Sequence, residues 1–324
     1  MIGRLAAIAA IVAGTCVARA QQPSFKTETR LVVLHATVRN RRGVEITNLD
    51  RGAFTVYENG KRQPIMLFRR DDIPVSIGLL VDNSGSMRPL RERAEAAALA
   101  FVRASNPLDE AFVVNFADTA RIDVAMTQDV ATLEAGIRRV DSIGGTALRD
   151  AVRVAETYLH DHATRDRRVL LVITDGRDNA SLVTMREIEQ HSRASDTAVY
   201  AIGVFAADSS EAKDGKRELD ALAERSGGVA YYPSGPDEVV GAAQDIAQQI
   251  RRQYTIAYAP SNQRLDGSYR TIRVEARGEE PLTVRTRSGY LAVPSVTSRH
   301  DRDRASFFSF LTLACYSRPI RCVS

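Results

Sequence analysis

Oxygen-bearing side chains alternate in one short segment of the chain. Residues 81–87 read Val-Asp-Asn-Ser-Gly-Ser-Met, which places Asp82, Ser84 and Ser86 at every second position. The segment follows an apolar run typical of a buried strand and precedes a pattern typical of a helix. Carboxylate and hydroxyl oxygens on one side of a tight turn suit hard cations such as Mg²⁺. The segment is therefore a candidate metal site, provided that other loops supply further oxygens.

Two later segments offer those oxygens. Asp175 directly follows the strongly apolar segment 168–174, and Thr146 follows Gly144 and Gly145 just before a helical pattern. Each residue alone is also common at turns and helix caps. In an open parallel sheet, however, sites form where the carboxyl ends of the strands meet, and the glycines allow a close backbone approach. We therefore predict one metal site made by Asp82, Ser84, Ser86, Thr146 and Asp175.

The segments that must position this site alternate between strand and helix patterns. Such alternation over about 180 residues predicts an α/β fold with a doubly wound, mostly parallel sheet and helices on both faces. Buried-strand patterns occupy 75–81, 110–116, 168–174 and 198–204, and helical patterns occupy 88–105, 128–140, 147–163, 184–195, 216–226 and 237–252.

Strand patterns also flank this region on both sides. On the N-terminal side, residues 29–40 are rich in β-branched types, and Asn59-Gly60 is a hairpin signal between 54–57 and 63–68. Neither flank has many strands with which to bury a core, so we expect the two to form one small β-sheet module. The predicted divisions are an N-terminal β segment at 21–72, the α/β domain at 73–252 and a C-terminal β segment at 253–294.

The chain begins with a basic start, a short apolar run and Ala18-Arg19-Ala20. This pattern predicts a secretory signal peptide over residues 1–20, and hence a secreted or periplasmic protein with no integral membrane span after cleavage. An uncleaved membrane anchor is the alternative. We expect the Ser/Arg/Asp-rich tail at 295–324 to be mostly disordered. Cys315 and Cys322 lie in it, and whether they pair stays open, as does the oligomeric state.

Charge and cysteine content exclude two other classes of function. The formal net charge of +4 comes from the signal and the tail, because the body from 21 to 294 carries about −1. A nucleic-acid-binding surface on the folded body is therefore not supported. The chain has no Cys-x-x-Cys and no Cys/His cluster of the kind that binds zinc.

The candidate site resembles the metal-ion-dependent adhesion site (MIDAS) of the von Willebrand factor type A domain family. Its D-x-S-x-S motif matches residues 82–86, with Thr146 and Asp175 at the other two positions, over a resemblance that covers about 75–250. The flanks are similar to those of a bacterial, secreted branch of the family. The matching segments are Val56 to Lys61, Tyr254 to Tyr258 and Arg287 to Tyr290.

The resemblance implies how the site works. The hydroxyls of Ser84, Ser86 and Thr146 would contact the cation, and Asp82 and Asp175 would hold it directly or through water. The cation would be Mg²⁺ (or Mn²⁺ or Ca²⁺), and an Asp or Glu of a protein partner would replace one of its waters. We also expect a helix that begins near Met87 to point its positive end at the site. The function implied is metal-dependent protein binding or adhesion outside the cytoplasm.

Two other hypotheses compete with metal-dependent protein binding. A metal-dependent hydrolase or phosphatase could act from a strand-end aspartate, but such enzymes resemble D-x-D, and Ser84 stands where their second acid would be. No Walker-type loop and no Gly-x-Ser-x-Gly motif is present. We therefore expect no enzymatic activity. The third reading is a structural domain with an empty site, against which the five intact positions argue. We expect Asp118, Asp150 and Asp178 to be capping or solvated residues rather than additional site acids.

Overall fold

A computed structural model describes residues 30–139, 143–205 and 210–293 of the chain. The predicted signal peptide (1–20) lies outside these ranges, as does the tail (295–324) with Cys315 and Cys322. Among the described residues, no helix is both long and apolar enough to cross a membrane.

Fourteen strands and six α-helices make up the described chain. The strands are β1 Val32–Asn40, β2 Phe54–Glu58, β3 Lys61–Gln63, β4 Ile65–Arg69, β5 Val75–Asp82, β6 Glu110–Phe116, β7 Ala120–Thr127, β8 Arg167–Thr174, β9 Ala198–Gly203, β10 Ala230–Tyr231, β11 Tyr254–Tyr258, β12 Tyr269–Ala276, β13 Leu282–Arg285 and β14 Gly289–Leu291. The helices are α1 Arg91–Ala104, α2 Val130–Ile137, α3 Leu148–His162, α4 Met185–Ala194, α5 Ser210–Ser226 and α6 Pro236–Arg251.

Six strands form a mostly parallel sheet in the order β10-β9-β8-β5-β6-β7, with β7 as the antiparallel edge. Successive residues of the central strands face opposite cores: Leu79 packs with α1, α2 and α6, and Leu80 packs with α3, α4 and α5. Every residue of β5 is buried, which explains its unbroken apolar sequence. The predicted α/β class and doubly wound sheet are confirmed.

The flanking strands form two antiparallel sheets, β13-β1-β11-β4 and β14-β12-β2-β3, which share one apolar core. Residues 32–36 of β1 pair with β11, and residues 37–40 pair with β13. Each sheet therefore contains two N-terminal and two C-terminal strands, and the predicted joint β-sheet module is confirmed. The exact division points at 72/73 and 252/253 stay predictions.

The predicted hairpin around Asn59 and Gly60 is present, but its second arm divides. Both turn residues have positive φ (48° and 78°), as the type I′ turn requires. β3 pairs with β2, whereas β4 pairs with β11 in the other sheet. Pro64 lies between them and has no N–H with which to continue the ladder. The prediction of a single strand over 63–68 was therefore wrong.

A buried carboxyl group joins the three flanking segments that carry the family resemblance. Glu58 is 3% exposed, and its Oε2 accepts hydrogen bonds from Tyr258 (2.8 Å) and Tyr290 (2.9 Å). Burial and the bond to Glu58 raise the pKa of both hydroxyls, that of Tyr290 to about 12. The two tyrosines therefore stay neutral donors, and Glu58 ties β2 to β11 and β14.

We expect Glu58→Ala to lower the free energy of unfolding by about 3 kcal/mol, because it leaves two buried hydroxyls without an acceptor. Glu58→Gln keeps an acceptor oxygen and should cost less. Urea denaturation measures both, with the exposed Glu279→Ala as the control. Equal stability of Glu58→Ala and Glu279→Ala would contradict this role.

Candidate metal centre

Asp82 is the last residue of β5, and its side chain is wholly buried. Oδ1 accepts the backbone N–H of Ser84 at 2.8 Å, and Oδ2 accepts the hydroxyl of Thr174, the last residue of β8, at 2.5 Å. Burial raises the pKa of Asp82 to about 6, and these hydrogen bonds oppose the shift. The carboxyl group is thus fixed at the base of the site, where it links the two central strands to the turn.

A chain of oxygens leads from this base towards the surface. Ser84 Oγ, which is buried, lies 3.0 Å from Ser86 Oγ, and the exposed Ser86 donates its hydroxyl to Asp175 Oδ1 at 3.0 Å. Burial raises the pKa of Asp175, and the bond from Ser86 opposes that shift. Direct hydrogen bonds or oxygen contacts therefore connect four of the five predicted residues, which are Asp82, Ser84, Ser86 and Asp175.

The loop that carries Thr146 is hydrogen-bonded both to the turn after Asp82 and to the loop after Asp175. Thr146 is buried and lies just before α3. Its N–H donates to Asn179 Oδ1 at 2.7 Å, and its carbonyl oxygen accepts the N–H of Asn179 at 3.0 Å. In the same loop, the Gly144 carbonyl oxygen accepts the N–H of Gly85 at 3.0 Å. The loops that carry the five predicted residues thus meet at the carboxyl edge of the sheet.

Asp118 holds the glycine pair of this loop. Its Oδ1 accepts the N–H of Gly145 at 2.7 Å, and a Cβ placed on Gly144 would lie 2.1 Å from its Oδ2. Gly144 also has a φ of +91°, which side-chain-bearing residues rarely adopt. Asp118 therefore has a positioning role that its sequence context does not indicate.

Asp178 and Asp150 make the capping contacts expected of them. Asp178 accepts the N–H of Arg149 in the first turn of α3 (2.7 Å) and pairs with the guanidinium of the same residue (2.8 Å). Asp150 accepts the N–H groups of Leu182 and Val183, both at 3.0 Å. These acids fix the loop that follows Asp175 against the start of α3.

The expected helix at Met87 is replaced by a 3₁₀ turn over Gly85–Leu90, and α1 begins only at Arg91. The prediction that an α-helix N-terminus points at the site from Met87 was therefore wrong. The buried Arg91 instead donates to Asn83 Oδ1 and to the carbonyl oxygens of Ile137 and Arg139, both at 2.7 Å. It fixes the middle of the metal-site turn from outside the motif.

The donor set fits a small hard cation. All of its side chains offer oxygen, and the Ser84–Ser86 and Ser86–Asp175 oxygen pairs are each 3.0 Å apart. Neighbouring ligands of an octahedral Mg²⁺ with bonds of about 2.1 Å lie about 3 Å apart, so the spacing already matches. The described residues contain no group of three or more His, Cys, Asp or Glu side chains that could hold a metal. The candidate set differs from such groups in that three of its five side chains are hydroxyls.

Comparison with known proteins finds a family match over this part of the chain. Residues 77–177 match the family model of the von Willebrand factor type A domain. This part of the chain is therefore similar to a von Willebrand factor type A domain. The match spans β5 to the residues just after β8, and it therefore includes the loops of all five predicted site residues. No protein of curated function matches the sequence significantly.

Three solved structures are among those similar to this chain. The von Willebrand factor type A protein of Catenulispora acidiphila is 15% identical, with 83% of this chain and 75% of that chain covered and a TM-score of 0.49. The vWF domain of the type V pili tip protein Mfa5 of Porphyromonas gingivalis is 14% identical (55% and 95% covered, TM-score 0.47). Proximal thread matrix protein 1 of the mussel byssus, with a zinc-occupied MIDAS motif, is 20% identical (60% and 50% covered, TM-score 0.48).

We expect Gly144→Ala to disturb the Thr146 loop. The new Cβ is strained at a φ of +91° and collides with Asp118, so the loss should reach about 2 kcal/mol. Gly267→Ala is the matched control, because Gly267 has a φ of +72° with no atom within 4 Å of the added Cβ. It should cost about 1 kcal/mol from backbone strain alone. Urea unfolding compares the two, and equal losses would show that the contact with Asp118 is unimportant.

Proposed function

We propose that this protein is a secreted or periplasmic protein-binding module that works through a bound divalent cation. Asp82, Ser84, Ser86, Thr146 and Asp175 would hold Mg²⁺ (or Mn²⁺ or Ca²⁺), and an Asp or Glu of a partner protein would complete its coordination. The observation that carries this proposal is the linked set of oxygens, 3.0 Å apart, on the carboxyl edge of the sheet, in the part of the chain that is similar to a von Willebrand factor type A domain. The proposed location rests on the sequence of residues 1–20.

The arrangement of charge supports an acidic ligand. Two carboxylates supply the negative charge of the site, so a divalent cation held there would still attract an anionic oxygen. Asp82 is wholly buried, whereas Ser86 is exposed. A partner therefore approaches from the Ser86 side, and Asp82 closes the opposite side to it.

Two exposed apolar side chains lie in the loops that carry the candidate site residues. Ile143 is 72% exposed, and its N–H donates to the Asn83 carbonyl oxygen at 3.1 Å, next to the metal-site turn. Leu182 is 90% exposed in the loop that follows Asp175. Exposed apolar residues around a polar centre are typical of protein-binding surfaces. The partner surface would thus combine a carboxylate with apolar neighbours.

The alternative of a hydrolase or phosphatase that attacks from Asp82 has less support. Both oxygens of Asp82 accept hydrogen bonds, and none of its surface is exposed to a substrate. Ser84, at the position of the second acid in D-x-D enzymes, contacts Ser86. A phosphatase assay with Mg²⁺ and with EDTA distinguishes the two functions, and metal-dependent turnover that is lost in Asp82→Ala would establish the alternative.

Binding of the cation should raise the melting temperature. At a metal concentration of about 100 Kd, we expect about 2.7 kcal/mol of stabilisation, or about 5 °C, reversed by EDTA. Ser86→Ala removes an exposed ligand without disturbing the core and should abolish most of this shift. The exposed Ser234→Ala, in the loop before α6, is the control. No shift with Mg²⁺ or Mn²⁺ at millimolar concentration would contradict the site.

Partner capture from the secreted or periplasmic fraction should require Mg²⁺ and fail in EDTA. Ser86→Ala should lose the same bound protein. Leu182→Ser should weaken its capture at least about tenfold while leaving the metal-induced melting shift intact, since a large apolar anchor contributes about 1.5–3 kcal/mol. Leu108→Ser is the control, because Leu108 is 58% exposed before β6 at the opposite edge of the sheet. Capture that persists in EDTA would refute metal-dependent binding.

A further inference from the structure

A cleft of about 580 Å³ separates the α/β domain from the β-sheet module at the edge of the sheet opposite the candidate metal centre. The second half of α3, the end of α4 and the starts of β8 and β9 form one wall. The start of β1 and the residues around β14 form the other. A volume of this size is typical of small-molecule sites.

Arg287 lies in this cleft between β13 and β14. Its guanidinium donates to the Val33 carbonyl oxygen at 2.9 Å, its Nε has no hydrogen-bond partner within the described chain, and burial lowers its pKa. Asp196 is the acid whose charge acts most on it, but Asp196 is half exposed and pairs with Arg168 at 3.0 Å. Arg287 therefore forms no ion pair of its own among the described residues, although it stands in a confined site.

An apolar wall continues from Arg287 along β1. Residues 32–36 of β1 pair with β11 on one edge, whereas β13 pairs with β1 on the other edge only from Thr37 onward. The unpaired edge of residues 32–36 therefore borders the cleft. Leu31 and Val33, which are 44% and 41% exposed, line this wall, and Leu291 of β14 belongs to the same wall. The wall can therefore cover an apolar body whose charged end reaches Arg287.

Glu156 supplies a polar group in another part of the cleft. It is 3% exposed, its Oε1 has no hydrogen-bond partner within the described chain, and its Oε2 accepts the hydroxyl of Ser192 at 3.1 Å. His191 Nε2 lies 3.5 Å from Oε2. Burial raises the pKa of Glu156 to about 8, and side-chain hydrogen bonds with Ser192 and Ser195 oppose the shift. A buried polar atom such as Oε1 is costly to leave without a partner unless a ligand or water satisfies it.

We propose that this cleft binds a small organic carboxylate with an apolar body. The ligand carboxylate pairs with the guanidinium of Arg287, whose planar fork suits two parallel hydrogen bonds. The apolar body lies along Leu31 and Val33, and Glu156 meets a hydroxyl or amide of the ligand. The site is separate from the candidate metal centre and does not depend on it.

Isothermal titration of sodium octanoate into the full chain in EDTA tests this proposal, because EDTA removes any cation that could bind a carboxylate. We expect saturable binding of one octanoate per chain, with the affinity falling about fourfold for each CH₂ removed from the probe. Octanol, which has the same chain and no carboxylate, should bind at least about tenfold more weakly. Arg287→Met should lose at least about tenfold in octanoate affinity, and Arg287→Lys should lose less.

Two further variants keep the test decisive. Arg273→Met, on the exposed side of β12, should bind octanoate like the wild type. If Arg287→Met does not fold, Val33→Asp places a negative charge on the exposed wall and should weaken binding to the same degree. Absence of saturable binding by the folded wild type would overturn the proposal, and so would octanoate binding that Arg287→Met or Val33→Asp leaves unchanged. Neither result would bear on metal binding, because EDTA leaves no free divalent cation in the titration.

Discussion

The buried carboxyl group of Asp82 is the contact on which the candidate metal centre depends. It ends β5, accepts the hydroxyl at the end of β8 and accepts the N–H of Ser84 in the turn that follows. Chain order reverses between these strands, because β5 lies between β6 and β8 in the sheet. The centre therefore lies at the topological switch point, where loops from adjacent strands diverge and leave room for a ligand. Hydrogen bonds from Thr174 and Ser84 offset part of the cost of burying the acid, and a bound cation would offset more.

The β-sheet module is fixed to the α/β domain by buried polar contacts rather than by the covalent chain alone. α6 leads almost directly into β11, and Gln253 between them donates to the hydroxyls of Thr37 and Tyr200, both at 2.9 Å. Arg167, at the start of β8, donates to the Ile250 carbonyl oxygen and to Gln253. Separating the two units would leave these polar groups without their partners. Such a change is costly, because a buried network is unfavourable when only partly satisfied. The arrangement keeps the cleft that contains Arg287 between two connected walls.

Much of the fold was predictable from the sequence because its central strands are buried on both faces. That burial produces unbroken apolar runs in β5 and β8, and the site residues follow from their positions at the ends of these runs. Local exceptions were harder to predict. The predicted strand over 63–68 divides at Pro64 between two sheets, and α1 begins at Arg91 after a 3₁₀ turn. β14 has only three residues, too few to show a strand pattern. The supporting roles of Asp118 and Asn179 depend on partners 27 to 33 residues away, and no local pattern reports such contacts.

We propose that one divalent cation binds at the carboxyl edge of the sheet, held by Asp82, Ser84, Ser86, Thr146 and Asp175. Crystals of the protein grown with Mn²⁺ and measured near the manganese absorption edge test it most directly, because the anomalous signal locates the ion independently of its ligands. We predict a single strong anomalous peak about 2.2 Å from the hydroxyl oxygens of Ser84 and Ser86, absent from crystals of Ser86→Ala. A fully ordered site with no peak, or a peak bound by other residues, would contradict the claim.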